Sequence, residues 1–313
     1  MLLVCGEALF DLFMTGTPGQ VDLFKARHGG SPYNVAVGLA RQGAAVGFFA
    51  GVSEDFLGQQ IINALRAETV ATSYVVRKTA PTTLSLVMLG ADGVPSYAFY
   101  GDGAADRILT LADLPKLAPE VTALHFGSYA LVCPPTADTY FALAQREAGQ
   151  RLLSIDPNVR LNVEPDVALW RRRLAAWVKI ADVVKVSAED LELLYPGCDV
   201  DQTARLWLSE GPALVVVTKG GEGAVAFTRR QEVAMVAPAI NMIDTVGAGD
   251  AFQAALLDQL LRRGCTGGLQ LAALSALELQ SILRFACMAG ALTCTRQGAD
   301  LPRREEILRA LER

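Results

Sequence analysis

The sequence predicts an α/β fold with a mostly parallel sheet, on the basis of three patterns. Short apolar runs alternate with longer amphipathic stretches along most of the 313 residues. Runs such as Leu2–Cys5, Leu152–Ile155 and Leu214–Thr218 are continuously apolar, which is typical of strands buried on both faces of a parallel sheet. Hydrophobic residues make up 51% of the chain and charged residues only 19%, which suits a large core and excludes extended disorder.

The predicted elements follow one another in a regular order. Strand and helix patterns alternate over Leu2–Cys5, Pro32–Gln42, Ala45–Ala50 and Gly58–Glu68. The same rhythm returns in Ala123–Phe126, Ala137–Ala148, Leu152–Ile155, Val183–Val186 and Leu214–Thr218, with later helices over Ala254–Leu261 and residues 302–313. Helical stretches between buried strands predict crossover connections, and therefore parallel strands.

Two segments, Leu12–His28 and Thr82–Gly103, break this rhythm. The second contains two extended runs, Thr83–Leu89 and Ser96–Tyr100, joined around Asp92-Gly93. An Asp-Gly pair between extended runs is a strong hairpin signal. The two segments either form a small antiparallel sheet that protrudes from the main domain or are ordinary surface hairpins.

Charge and cysteine content restrict the partners and the compartment. The net charge of −5 provides no general attraction to nucleic acids or anionic membranes, so a small-molecule partner is expected. The six cysteines form no Cys-x-x-Cys pair and only two histidines are present, which argues against a zinc site. No window approaches the roughly 18 apolar residues of a membrane span. We therefore expect a cytoplasmic protein with reduced thiols.

One glycine-rich turn precedes a helix and carries the clearest chemical signal. It runs from Asp244 through Gly247-Ala248-Gly249-Asp250 and leads into Ala254–Leu261. Free backbone N–H groups and the helix dipole make a helix N-terminus an anion site, and small residues let a phosphate approach. Asp250 would lie in the first turn, which favours its ionised form and suits a base that accepts a proton from a hydroxyl. The alternative is an Asp that only caps a helix.

Two signatures in this sequence resemble those of the ribokinase-like, or PfkB, family of carbohydrate kinases. The first is the turn just described. The second is Gly29-Gly30-Ser31-Pro32-Tyr33-Asn34-Val35-Ala36, about 200 residues earlier. The resemblance implies a three-layer α/β/α sandwich with a mostly parallel central sheet over residues 1–313, and a lid subdomain from residues 12–28 and 82–103. It also implies an ATP-dependent sugar kinase.

The resemblance implies roles for single residues. Asp250 corresponds to the general base, and the amides of Gly247, Ala248 and Gly249 correspond to those that hold the transferring phosphoryl group. Asp11 resembles the residue that grips the sugar hydroxyls. The remaining sugar-binding positions implied are Gly29, Gly30, Asn34, Tyr97 and Phe99.

Other positions resemble the nucleotide-binding half of the family. Asp156-Pro157-Asn158-Val159-Arg160 looks like an element of fructokinases and 2-keto-3-deoxygluconate kinases in which Arg160 would neutralise phosphate charge. The turn Thr218-Lys219-Gly220-Gly221-Glu222-Gly223 resembles the nucleotide-binding turn, although alone it is more often a hairpin. ATP is the implied cofactor, with Mg²⁺.

Three departures from the family pattern are visible. The Asn-x-x-Glu element of the magnesium region reads Ser187-Ala188-Glu189-Asp190, preceded by Lys185. Cys287 stands where many relatives have an Asn facing the adenine. Gly101 stands where the fructokinase and 2-keto-3-deoxygluconate kinase branch commonly has an Arg, which weakens the case for an acidic sugar.

These observations lead to an ordered set of functional expectations. A fructokinase-type enzyme comes first, 2-keto-3-deoxygluconate kinase second, and a ribose or nucleoside kinase third. A catalytically idle sugar-binding protein is the non-enzyme alternative. The resemblance also implies a lid that excludes water over the sugar, a monovalent cation such as K⁺ near Asp244 and the 296–298 loop, and a homodimer formed through the lid.

Overall fold

The computed structural model describes residues 1–15, 23–89 and 95–312. The strands in these ranges are β1 Leu2–Cys5, β2 Leu9–Thr15, β3 Leu23–Gly29, β4 Val46–Phe49, β5 Gly51–Ser53, β6 Val76–Lys78, β7 Leu84–Leu89, β8 Pro95–Tyr100, β9 Ala123–Gly127, β10 Leu152–Asp156, β11 Val183–Ser187, β12 Leu214–Thr218, β13 Ala224–Phe227 and β14 Glu232–Met235. The helices are α1 Ser31–Arg41, α2 Phe56–Ala67, α3 Thr136–Glu147, α4 Val167–Val178, α5 Ala188–Leu194, α6 Val200–Glu210, α7 Ala248–Arg262, α8 Gly268–Ala272, α9 Ala276–Cys294 and α10 Arg304–Leu311. Within the described ranges, no helix combines the length and apolarity that crossing a membrane requires.

The main sheet has eight strands in the order β14-β13-β12-β11-β10-β9-β1-β4. The six strands from β12 to β4 are parallel, whereas β13 and β14 continue the sheet in antiparallel hairpins. All carboxyl ends of the parallel strands therefore meet at one edge. In parallel α/β sheets this edge is where ligands bind.

The faces of the main sheet pack against two separate helical layers. Successive residues of β1 alternate between the two cores: Leu2 and Val4 pack with α1, α7 and α9, whereas Leu3 and Cys5 pack with α3 and α4. This alternation is the period-two geometry of a strand covered on both sides. The predicted three-layer α/β/α sandwich with a mostly parallel sheet is confirmed.

The two segments that broke the sequence rhythm belong to one four-stranded sheet, in the order β3-β2-β7-β8. Each segment supplies one antiparallel pair, and β2 joins β7 in parallel, with Phe10 opposite Leu84. In the first segment its strands are Leu9–Thr15 and Leu23–Gly29. The hairpin turn predicted at Asp92-Gly93 lies outside the described residues.

Candidate active site

A cavity of about 1460 Å³ opens between the carboxyl edge of the main sheet and the four-stranded sheet. Seventeen of the positions singled out from the sequence line it: Asp11, Gly30, Asn34, Phe99, Arg160, Lys185, Ser187, Asp190, Thr218, Gly220, Gly221, Gly223, Gly247, Ala248, Gly249, Asp250 and Cys287. Gly29 lies directly beneath Asp11, and Asp244 lies behind the glycine turn. The side chain of Tyr97 lies outside the described residues.

The glycine turn forms the N-terminus of α7, as predicted. Gly247 has a φ of 80°, and a Cβ there would lie 2.6 Å from the Ala299 Cβ, so only glycine fits. The Ala248 N–H donates to Thr245 O at 3.2 Å, which leaves it engaged within the turn. Within the part of the chain that the structure describes, the N–H groups of Gly247 and Gly249 have no protein acceptor. These two amides are therefore available to an anion.

Asp250 is held from both sides by the first turn of α1. The Ser31 hydroxyl donates to Oδ1 at 2.6 Å, and the Asn34 side-chain amide donates to Oδ2 at 2.8 Å. Asp250 is only 9% exposed, and burial raises its pKa. The hydrogen bonds from Ser31 and Asn34 oppose that rise, and so do the charges of Lys185 and Arg160. The first-turn position predicted only stabilisation of the ionised form; burial works in the opposite direction.

A buried ion pair lies next to the anion turn. Lys185 Nζ contacts Asp156 Oδ2 at 2.9 Å, and a Cβ at Gly249 would lie 3.3 Å from that ammonium group. Burial raises the pKa of Asp156 to about 6, and Lys185 opposes the rise. Burial alone would lower the pKa of Lys185, but the carboxylates of Asp156, Asp190 and Asp250 together outweigh burial, and the pKa is raised. Lys185 therefore stays charged beside the two free amides.

The sugar-binding positions implied by the sequence line the same cavity, and Asp11 among them is close enough to Asp250 for the two carboxylates to repel each other. A Cβ at Gly29 would lie 2.1 Å from Asp11 Oδ2, so the carboxylate covers this glycine. Gly30 has a φ of 102°, and a Cβ there would meet the Glu7 carbonyl oxygen at 2.7 Å. Burial raises the pKa of Asp11 to about 6, while the Ser85 hydroxyl opposes the rise by hydrogen bonding. Gly29 thus makes room for the Asp11 carboxylate at the cavity wall, and Gly30 makes room for the backbone of Glu7.

The third part of the cavity is lined by a glycine turn and by apolar side chains. The Gly220–Glu222 turn forms a short 3₁₀ helix between β12 and β13, so it is both a hairpin and a cavity wall. Cys287 of α9 lies in the same wall, together with Ile240 and Met242 from the segment after β14. Met242 is 69% exposed. Sequence reasoning missed this apolar segment because it has neither helix nor strand periodicity.

Comparison with known proteins gives the family. The model described as "pfkB family carbohydrate kinase" matches residues 1–306. The chain belongs to this family. A fructokinase from Rhizobium leguminosarum bv. trifolii is 39% identical over 83% of this chain and 79% of its own length.

Two solved structures resemble this pfkB kinase over nearly their whole length. Fructokinase from Xylella fastidiosa with bound ATP has a TM-score of 0.90, 28% identity, and coverage of 99% of this chain and 98% of its own. A double mutant of fructokinase from Vibrio cholerae O395, with fructose, ADP and potassium bound, has a TM-score of 0.83 and 28% identity, with 98% and 97% covered. The ribokinase-like fold of this kinase and its class as a sugar phosphotransferase are thereby confirmed.

The magnesium region of this pfkB kinase differs from a preformed metal site. Asp190 accepts the Val159 N–H at 2.8 Å and forms a capping box with Ser187, so its carboxylate fixes the backbone. Glu189 lines the cavity and is exposed. Among residues 1–15, 23–89 and 95–312, no group of three acidic, histidine or cysteine side chains is arranged to hold a metal. Mg²⁺ commonly takes one or two carboxylates plus substrate phosphates, and this donor set fits that mode.

Arg107 supplies a guanidinium where the sequence suggested none. A Cβ at Gly101 would lie 2.7 Å from Arg107 Nη2, so this glycine leaves room for Arg107. The guanidinium stacks 4.9 Å above the Tyr129 ring, and its Nε and Nη2 atoms have no acceptor among the described residues. Sequence reasoning missed Arg107 because it lies in no recognised motif.

Proposed function

We propose that this pfkB kinase is a fructokinase-type enzyme that transfers the γ-phosphoryl group of ATP to a hydroxyl of fructose. One observation carries the proposal: a single cavity is lined by Asp11 and by Asp250, with the two free amides of the α7 N-terminus and Lys185 beside Asp250. A sugar held at Asp11 and a phosphoryl group held at the α7 N-terminus would meet at Asp250. The similarity to fructokinases, one of which has been solved with fructose bound, supports fructose as the acceptor.

In the proposed reaction, Asp250 accepts the proton of the attacking hydroxyl. A bond forms between the sugar oxygen and the γ-phosphorus, and the bond to the β,γ-bridging oxygen breaks to give ADP. The amides of Gly247 and Gly249 donate to the phosphoryl oxygens, and Lys185 with Arg160 balances their negative charge. The raised pKa of Asp250 makes its carboxylate a stronger base than an exposed Asp.

Sugar binding in this proposal depends on the wall formed by Asp11, Gly29 and Gly30. The Asp11 carboxylate can accept hydrogen bonds from two neighbouring hydroxyls. Phe99 of β8 lines the same end and is half-buried, so it offers an apolar surface to the sugar. The four-stranded sheet would act as a lid that excludes water from the γ-phosphate.

We assign the rest of the cavity to ATP and its ions. The 218–223 turn, Cys287 and Ser187 would border the nucleotide, with Ile240 and Met242 against the base. Mg²⁺ carried by the phosphates would neutralise their charge, with Glu189 and Asp190 nearest to it. K⁺ would lie near Asp244, whose carboxylate accepts the Val246 and Gly298 N–H groups at 3.1 and 2.7 Å.

The homodimer implied by the family resemblance stays a prediction. The four-stranded sheet leaves Phe24 46% and Tyr100 62% exposed, which supports contact with a second copy. Light scattering after size-exclusion chromatography measures the mass directly. A mass of one chain at micromolar concentration would contradict the dimer.

A second candidate, 2-keto-3-deoxygluconate kinase, is favoured by Arg107. Its Nε and Nη2 atoms are buried without acceptors among the described residues, and the guanidinium stacks on Tyr129, which lines the cavity. A substrate carboxylate would satisfy such a donor pair. However, the neighbouring Asp106 carboxylate already offsets part of its charge, which lowers the pull on an anionic sugar.

A coupled ADP-release assay tests these functions. We expect the highest kcat/KM with fructose when fructose, 2-keto-3-deoxygluconate, ribose and nucleosides are compared at saturating MgATP. A reaction without sugar measures background hydrolysis. The highest kcat/KM with 2-keto-3-deoxygluconate would move the assignment to the second candidate. Saturable sugar binding without turnover of any substrate would instead identify a sugar-binding protein.

A further inference from the structure

Glu7 is a buried acid at the sugar end of the cavity to which the mechanism assigns no role. It is the second residue after β1, which lies between β9 and β4 in the main sheet, and it lines the same cavity as Asp11. The residue is 1% exposed, and its Oε2 atom has no hydrogen-bond partner among the described residues. A buried oxygen that borders a cavity without a partner is a site that a ligand can complete.

Glu7 shares its surroundings with a second buried acid, Asp106. Asp106 accepts the Thr83 hydroxyl at 2.5 Å and the Tyr129 hydroxyl at 2.7 Å, and Arg107 adjoins it in sequence. Burial raises the pKa of Asp106 as well, but these two hydroxyl donors and Arg107 oppose the rise. Glu7 Oε2 has no donor in the part of the chain that the structure describes. Two carboxylates in one buried region repel each other when both are ionised, so the carboxyl group with the weaker set of donors, that of Glu7, is the one kept protonated.

The charged and titratable groups around Glu7 come from several elements. They are Asp106, Tyr129, Cys133, Tyr140 and Arg160. Burial raises the pKa of Glu7 to about 8, and the charge of Asp106 adds to the rise. The backbone N–H of Glu7, the Ser128 hydroxyl and Arg160 oppose the rise. At neutral pH the side chain is therefore mostly a carboxylic acid, which can donate a hydrogen bond.

We propose that Glu7 is a specificity-determining residue that donates a hydrogen bond from its protonated carboxyl group to an oxygen of the bound sugar. The inference rests on the proposed function, because it requires a polyhydroxylated acceptor between Asp11 and Glu7. Asp11 as a carboxylate accepts the hydroxyl protons but offers none. A hydroxyl that donates to Asp11 has lone pairs that need a donor, and the protonated Glu7 provides one.

The pairing of a neutral and an ionised acid gives the site a defined preference. Ligand oxygens near Glu7 must accept a hydrogen bond, whereas those near Asp11 must donate one. Gly30 keeps this arrangement open because any side chain there would collide with the Glu7 carbonyl oxygen. A sugar analogue that lacks the oxygen facing Glu7 would leave a buried acid without a hydrogen-bond partner. Because an unpaired buried polar group is costly, the site should reject such an analogue strongly.

Three variants test the inference with the full-length enzyme and the best sugar from the substrate panel. Glu7→Ala removes the donor, so the KM for the sugar should rise roughly ten- to a hundredfold while the KM for ATP stays within about twofold. Glu7→Gln keeps a neutral donor and should stay within about threefold of the wild type at pH 7. Glu54→Gln, which removes an exposed carboxylate after β5, is the matched control.

The pH dependence separates this role from a purely structural one. As the pH rises through about 8, the wild type loses the donor and its kcat/KM for the sugar should fall, whereas the kcat/KM of Glu7→Gln should stay constant over the same range.

Thermal melting with ATP shows whether each variant folds. If Glu7→Ala does not fold, the pH profile of Glu7→Gln alone tests the inference. An unchanged sugar KM in a folded Glu7→Ala, or identical pH profiles for the wild type and Glu7→Gln, would overturn the inference alone. A wild type that phosphorylates no sugar would overturn the proposed function as well.

Discussion

The Ser31 hydroxyl donates a 2.6 Å hydrogen bond to Asp250 across the contact between the first turns of α1 and α7. This bond joins the two parts of the sequence that resemble family signatures, which are separated by 219 positions. It also connects the sugar end of the cavity, where α1 begins, with the anion turn where α7 begins. A change at one signature should therefore alter the chemistry at the other.

Replacing Ser31 by Ala should shift the pH dependence of the reaction. The Ser31 hydroxyl opposes the burial that raises the pKa of Asp250, so its removal should raise that pKa further. Because Asp250 must be ionised to accept a proton, kcat should fall on the acid side at a higher pH than in the wild type. We expect a rate loss of roughly tenfold at pH 6 and a smaller loss at pH 8. Ser31→Thr keeps the hydroxyl and is the control. If the wild type, Ser31→Ala and Ser31→Thr have the same dependence of kcat on pH, Ser31 does not have this role.

Replacing Asp250 by Asn should remove the base and keep the shape of the site. The amide has the size of the carboxylate but does not accept the proton, so the rate should fall by roughly a hundredfold or more. Isothermal titration should show ATP binding close to that of the wild type, because the Gly247 and Gly249 amides are unaffected. Full activity in Asp250→Asn would remove this residue from the mechanism.

Sequence and structure agree best where a local pattern determines both. The six parallel strands of the main sheet and the N-terminus of α7 were predictable, because continuous buried runs and glycine turns before helices are local patterns. The antiparallel strands β13 and β14 were not predicted. Ser31 lies within a family signature, but its contact with Asp250 depends on a distant element and could not be predicted from the signature. The Lys185–Asp156 pair was equally hidden, since the register of β10 and β11 brings the two residues together. The departure at Gly101 was misleading alone, because Arg107 lies next to it in space.

Replacing Gly29 by Ala should weaken sugar binding specifically. A Cβ would lie 2.1 Å from Asp11 Oδ2, so the carboxylate has to move from its position in the wall. The KM for the sugar should rise by roughly tenfold or more, and the KM for ATP should remain unchanged. Gly267→Ala is a suitable control, because its backbone is extended and the nearest atom to a Cβ there is 3.6 Å away. Equal sugar KM values for the two variants would contradict the predicted role of Asp11.

The Lys185–Asp156 pair predicts a loss of stability that depends on pH. Lys185→Met leaves the buried Asp156 carboxylate unpaired, which typically costs about 3–5 kcal/mol. The pKa of Asp156, already about 6 with Lys185 present, should rise further in the variant, so protonation should relieve most of this cost at pH 5. Urea unfolding at pH 5 and pH 8 measures the difference. The double variant Lys185→Met/Asp156→Asn removes both charges, so it should recover stability but not activity. If Lys185→Met loses the same free energy of unfolding at pH 5 and at pH 8, an unpaired carboxylate is not the cause of the loss.

The buried acid Glu7 predicts that part of the wild-type stability is lost as the pH rises. Its pKa is raised in the folded state to about 8 from a value near 4.5, so the folded protein binds the proton more tightly than the unfolded chain. The stability that Glu7 contributes is complete below pH 4.5 and is lost as the pH rises through 8, with a slope of at most about 1.4 kcal/mol per pH unit. Glu7→Gln cannot ionise, so it should gain stability relative to the wild type as the pH rises from 5 to 9. Urea unfolding of the wild type and of Glu7→Gln across this range measures the difference between their free energies of unfolding. A difference that does not change with pH would mean that Glu7 ionises in the folded state as easily as in water.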